Sequence, residues 1–570
     1  MDDDASMRFA AALSAGVLFF AIPCASQVTL RSVTRLVQIT VIAQDGQGHP
    51  VTDLGRDDFL LFDSGQQREI KVFTVDRGDR SHPAVAVTPR ADASEHVFTN
   101  TLEERSGATG VNIILLDSLN TRWTDQANAI RNVIRFLSQI HPDDHIAVYS
   151  IGLTGFHVLH DFTTDASDLV ARLASWNGEI PRANSPDPGD QLAGVLSGRD
   201  RSTTLNQRRA PAAAVNFGHT LPTLGVMEML ANRLAGIPGR KNVIWVSNGF
   251  PIVEWGNESA TVLSRHGNEP ILVRSLDPRN TSNTVHDTIG DSQQFSRQAD
   301  HAMHLLDSAN VSIYPVEARG LQTPMYGMAG GPAAQPLMSA ASAPTFSDQA
   351  TEQAMQQVAK RTGGRAFTLT NDLFGALRTA IDDSRVTYTL GFYPESTCQD
   401  GKFHAVTIKL AERRGITLRY RQGYIDAADA PGDPRQRKND IDQAALSPLD
   451  ANAIPLEARL QPSSRRGAYN LNLSISISSL NLAPDGEVWT GEVDVLLVQR
   501  DQQGREFGRV NDTITMRLKA ATYERMQKTG APYVHEITLH AKAQMLRVVV
   551  RDARSGDLGS LTIPTNELSR

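Results

Sequence analysis

Two kinds of hydrophobic pattern divide the chain. Near both ends, apolar and polar residues alternate, as in "RLVQITVIAQD" at 35–45 and "YNLNLSISISSL" at 469–480. A period of two predicts half-buried β-strands. In the middle, short continuous apolar runs such as "VNIILLD" at 111–117 alternate with longer stretches of helical spacing. Continuous runs of this kind are typical of strands that are covered on both faces.

The first of these central runs leads directly into a predicted helix. Apolar residues recur at helical spacing at Ala129, Ile130, Val133, Ile134, Leu137 and Ile140. Similar strand-and-helix units follow around "KNVIWVSNG" and "VSIYPVEA". Repeated βα units predict an α/β domain with a mainly parallel, Rossmann-like sheet and helices on both faces. In such sheets, ligands bind beyond the carboxyl ends of the strands.

The same patterns suggest where the domains begin and end. We predict a leader at 1–26, an N-terminal β segment at 27–80, a linker at 81–108, the α/β domain at 109–385, a β segment at 386–426, a linker at 427–449 and a β-sandwich-like domain at 450–570. The segment 386–426 is too small to be stable alone. We therefore expect it to pair with the N-terminal segment, so that the α/β domain is inserted into a β-sandwich.

The N-terminus has the features of a secretory signal peptide. An apolar run from Phe9 to Ile22 follows Arg8, and the small residues Cys24 and Ser26 lie just beyond it. The run is too short to span a bilayer comfortably. We expect cleavage after Ser26 and an extracytoplasmic protein, periplasmic or secreted, with no membrane span after leader removal.

Composition narrows the classes of function. The chain is 40% hydrophobic and 21% charged, and its formal charge of -7 gives no basic field for nucleic acid. Cys24 falls in the leader, so Cys398 is the one cysteine of the expected mature chain. An internal disulfide and a cysteine-based zinc site are therefore excluded for that mature chain.

Three weakly patterned inserts interrupt the α/β domain, at 177–218, 251–294 and 320–346. The first is rich in Gly, Pro, Asn and Arg, the second is polar, and the third is a low-complexity stretch of small residues and Met. We expect mobile surface loops. A binding role and a spacer role are equally compatible with this composition.

Polar residues follow the first and a later central strand. Asp117 ends the run "VNIILLD", with Thr121 close behind it, and Asn248 follows "KNVIWVS". Trp123 and Trp255 come after the same two strands, and we interpret them as partner-binding candidates or as packing residues. The acid and hydroxyl side chains predict either a metal-binding loop or a structural network in which Asp117 accepts backbone N–H groups and Thr121 caps the loop.

Several stretches, in this order, resemble a known family. They are "ILLDSLNT", "DDHIAVYSIG", "GRKNVIWVSNGFP", "VSIYPVEARGL" and "TYTLGFYPE". They are similar to bacterial secreted proteins with a von Willebrand factor type A (VWA) domain. The resemblance implies a Rossmann-like VWA domain with flanking all-β domains.

In most VWA domains, the top of the sheet binds Mg²⁺ or Mn²⁺ through Asp-x-Ser-x-Ser, a loop Thr and a second Asp. The positions of this chain that match are Asp117, Thr121, Thr220 and Asn248, with Thr223 and Ser247 as alternatives to the last two. Leu119 replaces the first Ser and carries no ligand atom. The resemblance therefore implies a degenerate metal-ion-dependent site and no certain cofactor.

These features favour a non-enzymatic protein-interaction or adhesion module with an unknown protein ligand. No catalytic residues are assigned, because Trp245 takes the first glycine position of a G-x-S-x-G elbow and no nucleophile–base pair is visible. His301 and His304, one helical turn apart, are interpreted as part of a solvated or half-buried helix face because a third zinc ligand is not evident. A secreted hydrolase using the same crevice and a structural envelope component are the alternatives.

Overall fold

The computed structural model describes residues 36–77, 97–101, 111–121, 123–141, 144–152, 154–176, 210–237, 239–249, 254–255, 260–261, 264–266, 269–271, 298–319, 348–394, 403–425, 434–465 and 467–565. The predicted leader, Cys24, Cys398 and the insert 320–346 lie outside these ranges.

The strands, in chain order, are β1 (Val37–Gln44), β2 (Phe59–Asp63), β3 (Gln66–Arg68), β4 (Val72–Arg77), β5 (Val97–Thr99), β6 (Val111–Asp117), β7 (His145–Gly152), β8 (Gly155–Thr163), β9 (Lys241–Ser247), β10 (Glu254–Trp255), β11 (Ala260–Thr261), β12 (Ser264–His266), β13 (Glu269–Ile271), β14 (Val311–Glu317), β15 (Val386–Phe392), β16 (Phe403–Leu410), β17 (Thr417–Arg419), β18 (Gly423–Ile425), β19 (Leu456–Pro462), β20 (Ala468–Ile475), β21 (Ala483–Asp485), β22 (Val488–Arg500), β23 (Glu506–Lys519), β24 (Ala531–Thr538), β25 (Met545–Asp552) and β26 (Leu558–Pro564). The α-helices are α1 (Trp123–Leu137), α2 (Ala166–Ser175), α3 (Ala210–Leu234), α4 (298–308), α5 (Asp348–Thr362), α6 (Leu373–Asp382), α7 (Pro434–Leu446) and α8 (Ala520–Thr529).

The central sheet has the strand order β14-β9-β6-β7-β8. Its first four strands are parallel, and β8 runs antiparallel at one edge. Every residue of β6, β9 and β14 is buried, as expected for strands with helices on both faces. The predicted mixed α/β architecture with a mainly parallel sheet is confirmed in this part of the chain.

Alternate residues of β6 belong to two separate cores. Ile113 and Leu115 pack with α3, α4 and α5, whereas Ile114 and Leu116 pack with α1, α2 and α6. This division follows from the alternation of side chains along a strand. It makes the sheet the middle layer of three and leaves the carboxyl ends of β6 and β9 at one edge.

The strands before and after the α/β region form one two-sheet unit. β1 pairs antiparallel with β15, and β16 pairs antiparallel with β2. The two sheets have the orders β17-β1-β15-β4 and β18-β16-β2-β3 and enclose a shared apolar core. The chain thus leaves this unit for the α/β region and returns to it.

The C-terminal strands form a second two-sheet unit. One sheet has the order β24-β20-β19-β5, and the other has the order β21-β22-β25-β26, with β23 also paired to β22. The core between them includes Leu471, Val495 and Val548. Several β-sheets therefore flank the α/β region, as the alternating sequence patterns indicated.

Both predicted linkers contain ordered elements. Within 81–108, β5 pairs with β19 and so joins the C-terminal unit, because its Val-Phe-Thr sequence suits a strand. Within 427–449, α7 packs Ala444 and Ala445 against the C-terminal sheet. The polar composition concealed this helix because its buried contacts are small residues and ion pairs.

Two of the three predicted inserts include regular elements. The last residues of 177–218 belong to α3, which begins at Ala210 in an alanine-rich stretch of high helix propensity. Within 251–294, β10 pairs with β11 and β12 pairs with β13. No helix in the described ranges is long and apolar enough to cross a membrane.

Candidate functional site

The candidate site lies where β6 and β9 end side by side. The two strands are parallel neighbours, with Leu116 opposite Val246. Asp117 is the last residue of β6, and Ser247 is the last residue of β9. The parallel pairing therefore brings the polar residues that follow both strands to one edge of the sheet.

Asp117 is buried and is surrounded by hydrogen-bond donors. The backbone N–H of Asn120 donates to Asp117 Oδ1 over 2.8 Å. Asn120 Nδ2 donates to Asp117 Oδ2 over 2.9 Å, and Trp245 Nε1 donates to the same oxygen over 2.9 Å. The Ser247 hydroxyl, 3.0 Å from Asp117 Oδ2 and 2.8 Å from the Gly249 carbonyl oxygen, can donate its one hydrogen to either.

Burial and these donors act on Asp117 in opposite directions. Desolvation raises the pKa of the Asp117 carboxyl, and the hydrogen bonds from Asn120, Trp245 and Ser247 oppose that rise. The arrangement is that of a carboxylate held inside the fold by protein N–H groups.

The loop after β6 is held by a second set of contacts. The backbone N–H of Asn248 donates to Thr121 Oγ1 over 3.2 Å, and Asn248 Nδ2 donates to Asp125 Oδ2 over 2.6 Å. Gln126 Nε2 donates to the carbonyl oxygens of Ser118 and Thr121. These bonds tie the loop to the start of α1 and to the end of β9.

Of the four matched positions, the structure brings together the side chains of Asp117, Thr121 and Asn248. Thr220 lies within α3, and its side chain is outside the described part of the structure. The alternative residue Thr223 is buried and accepts from Asn120 Nδ2 over 3.2 Å. We use the name Asp117 cluster for a group of six residues: Asp117, Asn120, Thr121, Trp245, Ser247 and Asn248.

The donor set does not fit a divalent cation of the kind implied by the resemblance. Mg²⁺ requires oxygen ligands whose lone pairs point at the ion. Here N–H groups of Asn120 and Trp245 point at both oxygens of Asp117, and Thr121 Oγ1 accepts from Asn248. Among the described residues, no group of three or more His, Cys, Asp or Glu side chains is placed to hold a metal ion.

Two contributors to the cluster were missed in the sequence. Asn120 follows Asp117 by three residues, the spacing of a local side-chain turn. Trp245 lies two residues before Ser247, and alternation along β9 puts both on the same face of the sheet. The even spacing of Trp245 and Ser247 was therefore a signal that the sequence offered. The sequence does not show, however, that Asp117 lies on the same face of the sheet as these two residues.

For the two tryptophans proposed as partner-binding residues, the structure gives the backbone position only. Trp123 is the first residue of α1, and Trp255 belongs to the short strand β10. Both side chains lie outside what the structure describes, so their role in partner binding stays a prediction.

The histidine pair on α4 makes a contact across a domain boundary. His301 Nε2 lies 3.4 Å from Asp440 Oδ1 on α7. Burial disfavours the imidazolium, but its hydrogen bond and charge attraction to Asp440 raise the pKa of His301 on balance. His301 is thus half-buried and contacts an acid, which agrees with the expected half-buried helix face.

No protein-family model matches the chain, and no curated protein matches its sequence. Some solved structures are similar at low identity. BatB from Bacteroides thetaiotaomicron is 14% identical, with a TM-score of 0.12, over 33% of this chain and 87% of that one. The SpRpn10 VWA domain is 13% identical, with a TM-score of 0.14, over 37% and 88%. Human COPII-coat protein Sec24c is 6% identical, with a TM-score of 0.21, over 56% and 44%.

Proposed function

We propose that the protein is a non-enzymatic, extracytoplasmic protein-interaction module, with a VWA-like α/β domain that recognises its partner through the sheet edge at the Asp117 cluster. The leader at 1–26 is the basis for the extracytoplasmic location. The order of the matched sequence stretches, together with the mainly parallel sheet, is the basis for the VWA-like assignment.

One observation favours this edge of the sheet as the partner-binding surface. Asn248 Oδ1 has no hydrogen-bond partner among the described residues, although the atom is buried and the rest of the side chain is held by Asp125. A buried acceptor without a donor is destabilising, by about 1–3 kcal/mol. Because Asn248 as a whole is half-buried, a small shift of its side chain on binding would bring this oxygen within reach of a partner's donor and remove that penalty.

The proposal also assigns the Asp117 cluster a structural role. Protein donors hold Asp117 in place of a cation, and the loop is fixed before any partner arrives. Preorganisation of this kind reduces the entropy lost on binding. Recognition would then use hydrogen-bond donors of the partner rather than an acidic residue completing a metal shell.

Comparative capture tests this proposal. The immobilised mature protein, expected to begin after Ser26, is exposed to extracytoplasmic proteins of its source cell, and bound proteins are quantified by mass spectrometry. Asn248→Ala removes the acceptor together with the hydrogen bond to Asp125, and Asp125→Ala, which breaks that bond but keeps the acceptor, is the matched control. The proposal predicts at least a tenfold loss of a specific partner with Asn248→Ala alone. Equal capture by all three proteins would contradict it.

The hydrolase alternative uses the same crevice and has its own test. Both partners of Ser247 Oγ that the structure shows, Asp117 and the backbone of Gly249, belong to the closed network. Turnover of a peptide, ester or glycan substrate that disappears in Ser247→Ala, with folding retained, would favour the hydrolase. A structural envelope role would instead be favoured by the absence of any saturable partner.

A further inference from the structure

A cavity of about 520 Å³ lies where the α/β region meets α7 and the C-terminal sandwich. It is distinct from the Asp117 cluster and is formed by several elements. Apolar residues that line it are Ile151, Phe156, Met229, Leu305, Leu449 and Leu558. Leu446, the last residue of α7, also lines the cavity and is 68% exposed, which marks an opening to solvent.

Three titratable residues line this mainly apolar space: Glu228, His301 and Asp440. Asp440 is held by Arg551, whose Nη2 donates to Asp440 Oδ2 over 2.9 Å, and His301 faces the other oxygen. Glu228 is also buried, and Gln298 hydrogen-bonds its carboxyl. Its Oε1, however, has no hydrogen-bond partner among the described residues.

This combination favours an amphipathic ligand over water. Water against apolar walls lacks the close contacts that an apolar ligand provides. A carboxyl oxygen without a donor in mainly apolar surroundings carries a desolvation penalty. Burial accordingly raises the pKa of Glu228 to about 7. A ligand with an apolar body and a donor group would supply both the contacts and the missing donor.

We propose that the cavity binds a small amphipathic molecule, whose apolar body contacts the lining residues and whose amine or hydroxyl head donates a hydrogen bond to Glu228 Oε1. The volume lies within the range of small-molecule sites, about 300–1,000 Å³. An anionic head is disfavoured, because Glu228 Oε1 can only accept a hydrogen bond once Glu228 is ionised, whereas Asp440 is already paired with Arg551 and His301. The class of ligand is thus an apolar chain or ring system with a hydrogen-bond-donating end.

Calorimetry with three probes of equal chain length tests the head group. Decylamine, decanol and decanoate are titrated into the full-length protein at pH 8, where Glu228 is mostly ionised, below their micellar or solubility limits. Saturable binding of the amine or the alcohol, at least tenfold tighter than binding of decanoate, is expected. If decylamine binds more tightly than decanol, charge attraction to Glu228 contributes to recognition of the head group. If the two bind equally, the hydrogen bond alone accounts for that recognition.

A cavity-filling variant tests the location. Gly225 lines the cavity on α3, and a Cβ added there meets no atom within 4 Å. Gly225→Leu therefore fills the cavity without a backbone clash and improves helix propensity. We expect at least a tenfold loss of affinity with no fall in the unfolding temperature, whereas Gly225→Ala retains binding.

Glu228→Gln completes the set, since it keeps the side-chain shape and removes the charge. The expected result is loss of the discrimination against decanoate. The proposal is overturned if no probe binds saturably, if decanoate binds as well as the others, or if Gly225→Leu binds like the unaltered protein. None of these results depends on Asn248, so they are independent of the protein-interaction proposal.

Discussion

Trp245 Nε1 donates a hydrogen bond to Asp117 Oδ2 over 2.9 Å, and both side chains are almost completely buried. The bond joins two neighbouring parallel strands at the edge where the resemblance implies a metal ion. It places an N–H group against the carboxylate that such an ion would require. The contact is therefore central to a cluster closed by protein donors.

Replacement of the indole tests this contact. Trp245→Phe retains an aromatic ring but leaves Asp117 Oδ2 without one donor. Hydrogen bonds to charged groups contribute about 1.5–3 kcal/mol, so we expect the free energy of unfolding to fall by at least that amount. Urea denaturation measures it. Trp489→Phe is the control, because Trp489 is partly buried and stacks on Tyr523 with ring centroids 4.6 Å apart. Equal stability of Trp245→Phe and the unaltered protein would contradict the assignment.

The contact between Asn248 and Asp125 gives a second prediction. Asn248 Nδ2 donates to Asp125 Oδ2 over 2.6 Å, so Asn248→Asp puts two carboxylates face to face. We expect a lower unfolding temperature than for Asn248→Ala at pH 8, because the alanine variant loses the hydrogen bond without adding charge. Equal unfolding temperatures at pH 8 would argue against this contact.

The sequence predicted the central sheet well because its signal is local. Continuous apolar runs mark β6, β9 and β14, and their order along the chain with intervening helices implies parallel pairing. The position of Asp117 at a strand end was equally visible. The flanking β-sheets follow from the other pattern, the alternation of apolar and polar residues near both ends of the chain.

The sequence did not reveal contacts that depend on distant elements. β5 has three residues, and its partner β19 follows several hundred positions later, so no local pattern identifies the pair. The role of α7 depends on Asp440 meeting Arg551 across domains. The donor role of Trp245 toward Asp117 likewise requires the register of β6 against β9.

The ion pair that holds α7 gives a third prediction. Arg551 donates to Asp440 through Nε over 3.1 Å and through Nη2 over 2.9 Å, and both side chains are buried. Asp440→Ala leaves a buried guanidinium without its partner, which costs about 3–5 kcal/mol. We expect rapid proteolysis within α7. Lys438→Ala on the same helix removes an exposed pair with Asp442 and should cost at most about 1 kcal/mol. Identical cleavage rates for the two variants would contradict the prediction.

Glu228 gives a prediction about pH. Its folded-state pKa of about 7 exceeds the ordinary value of 4.5, so between these pH values the folded protein holds a proton that the unfolded chain has released. Stability contributed by this group therefore falls as pH rises from about 4.5 to 7, by roughly 3 kcal/mol in all. His301 and Asp440 face Glu228 and are present in both the unaltered protein and the Glu228→Gln variant, so the comparison between these two proteins isolates Glu228.

Glu228→Gln removes the titration of this one group. The variant should gain stability relative to the unaltered protein as pH rises. The gap, defined as the unfolding temperature of the variant minus that of the unaltered protein, is therefore more positive at pH 8 than at pH 5. Paired thermal scans at the two pH values measure the gap. A gap that is the same at both, or that narrows at pH 8, would show that Glu228 does not titrate in this way.

The most direct test of the closed cluster is a cation titration. Mg²⁺ and Mn²⁺ are titrated by calorimetry into chelator-treated mature protein, with Asp117→Ala as the reference. Because N–H groups of Asn120 and Trp245 already point at both oxygens of Asp117, we predict no saturable heat at millimolar cation. Saturable one-site binding that disappears in Asp117→Ala would contradict the account and establish a working metal site at the end of β6.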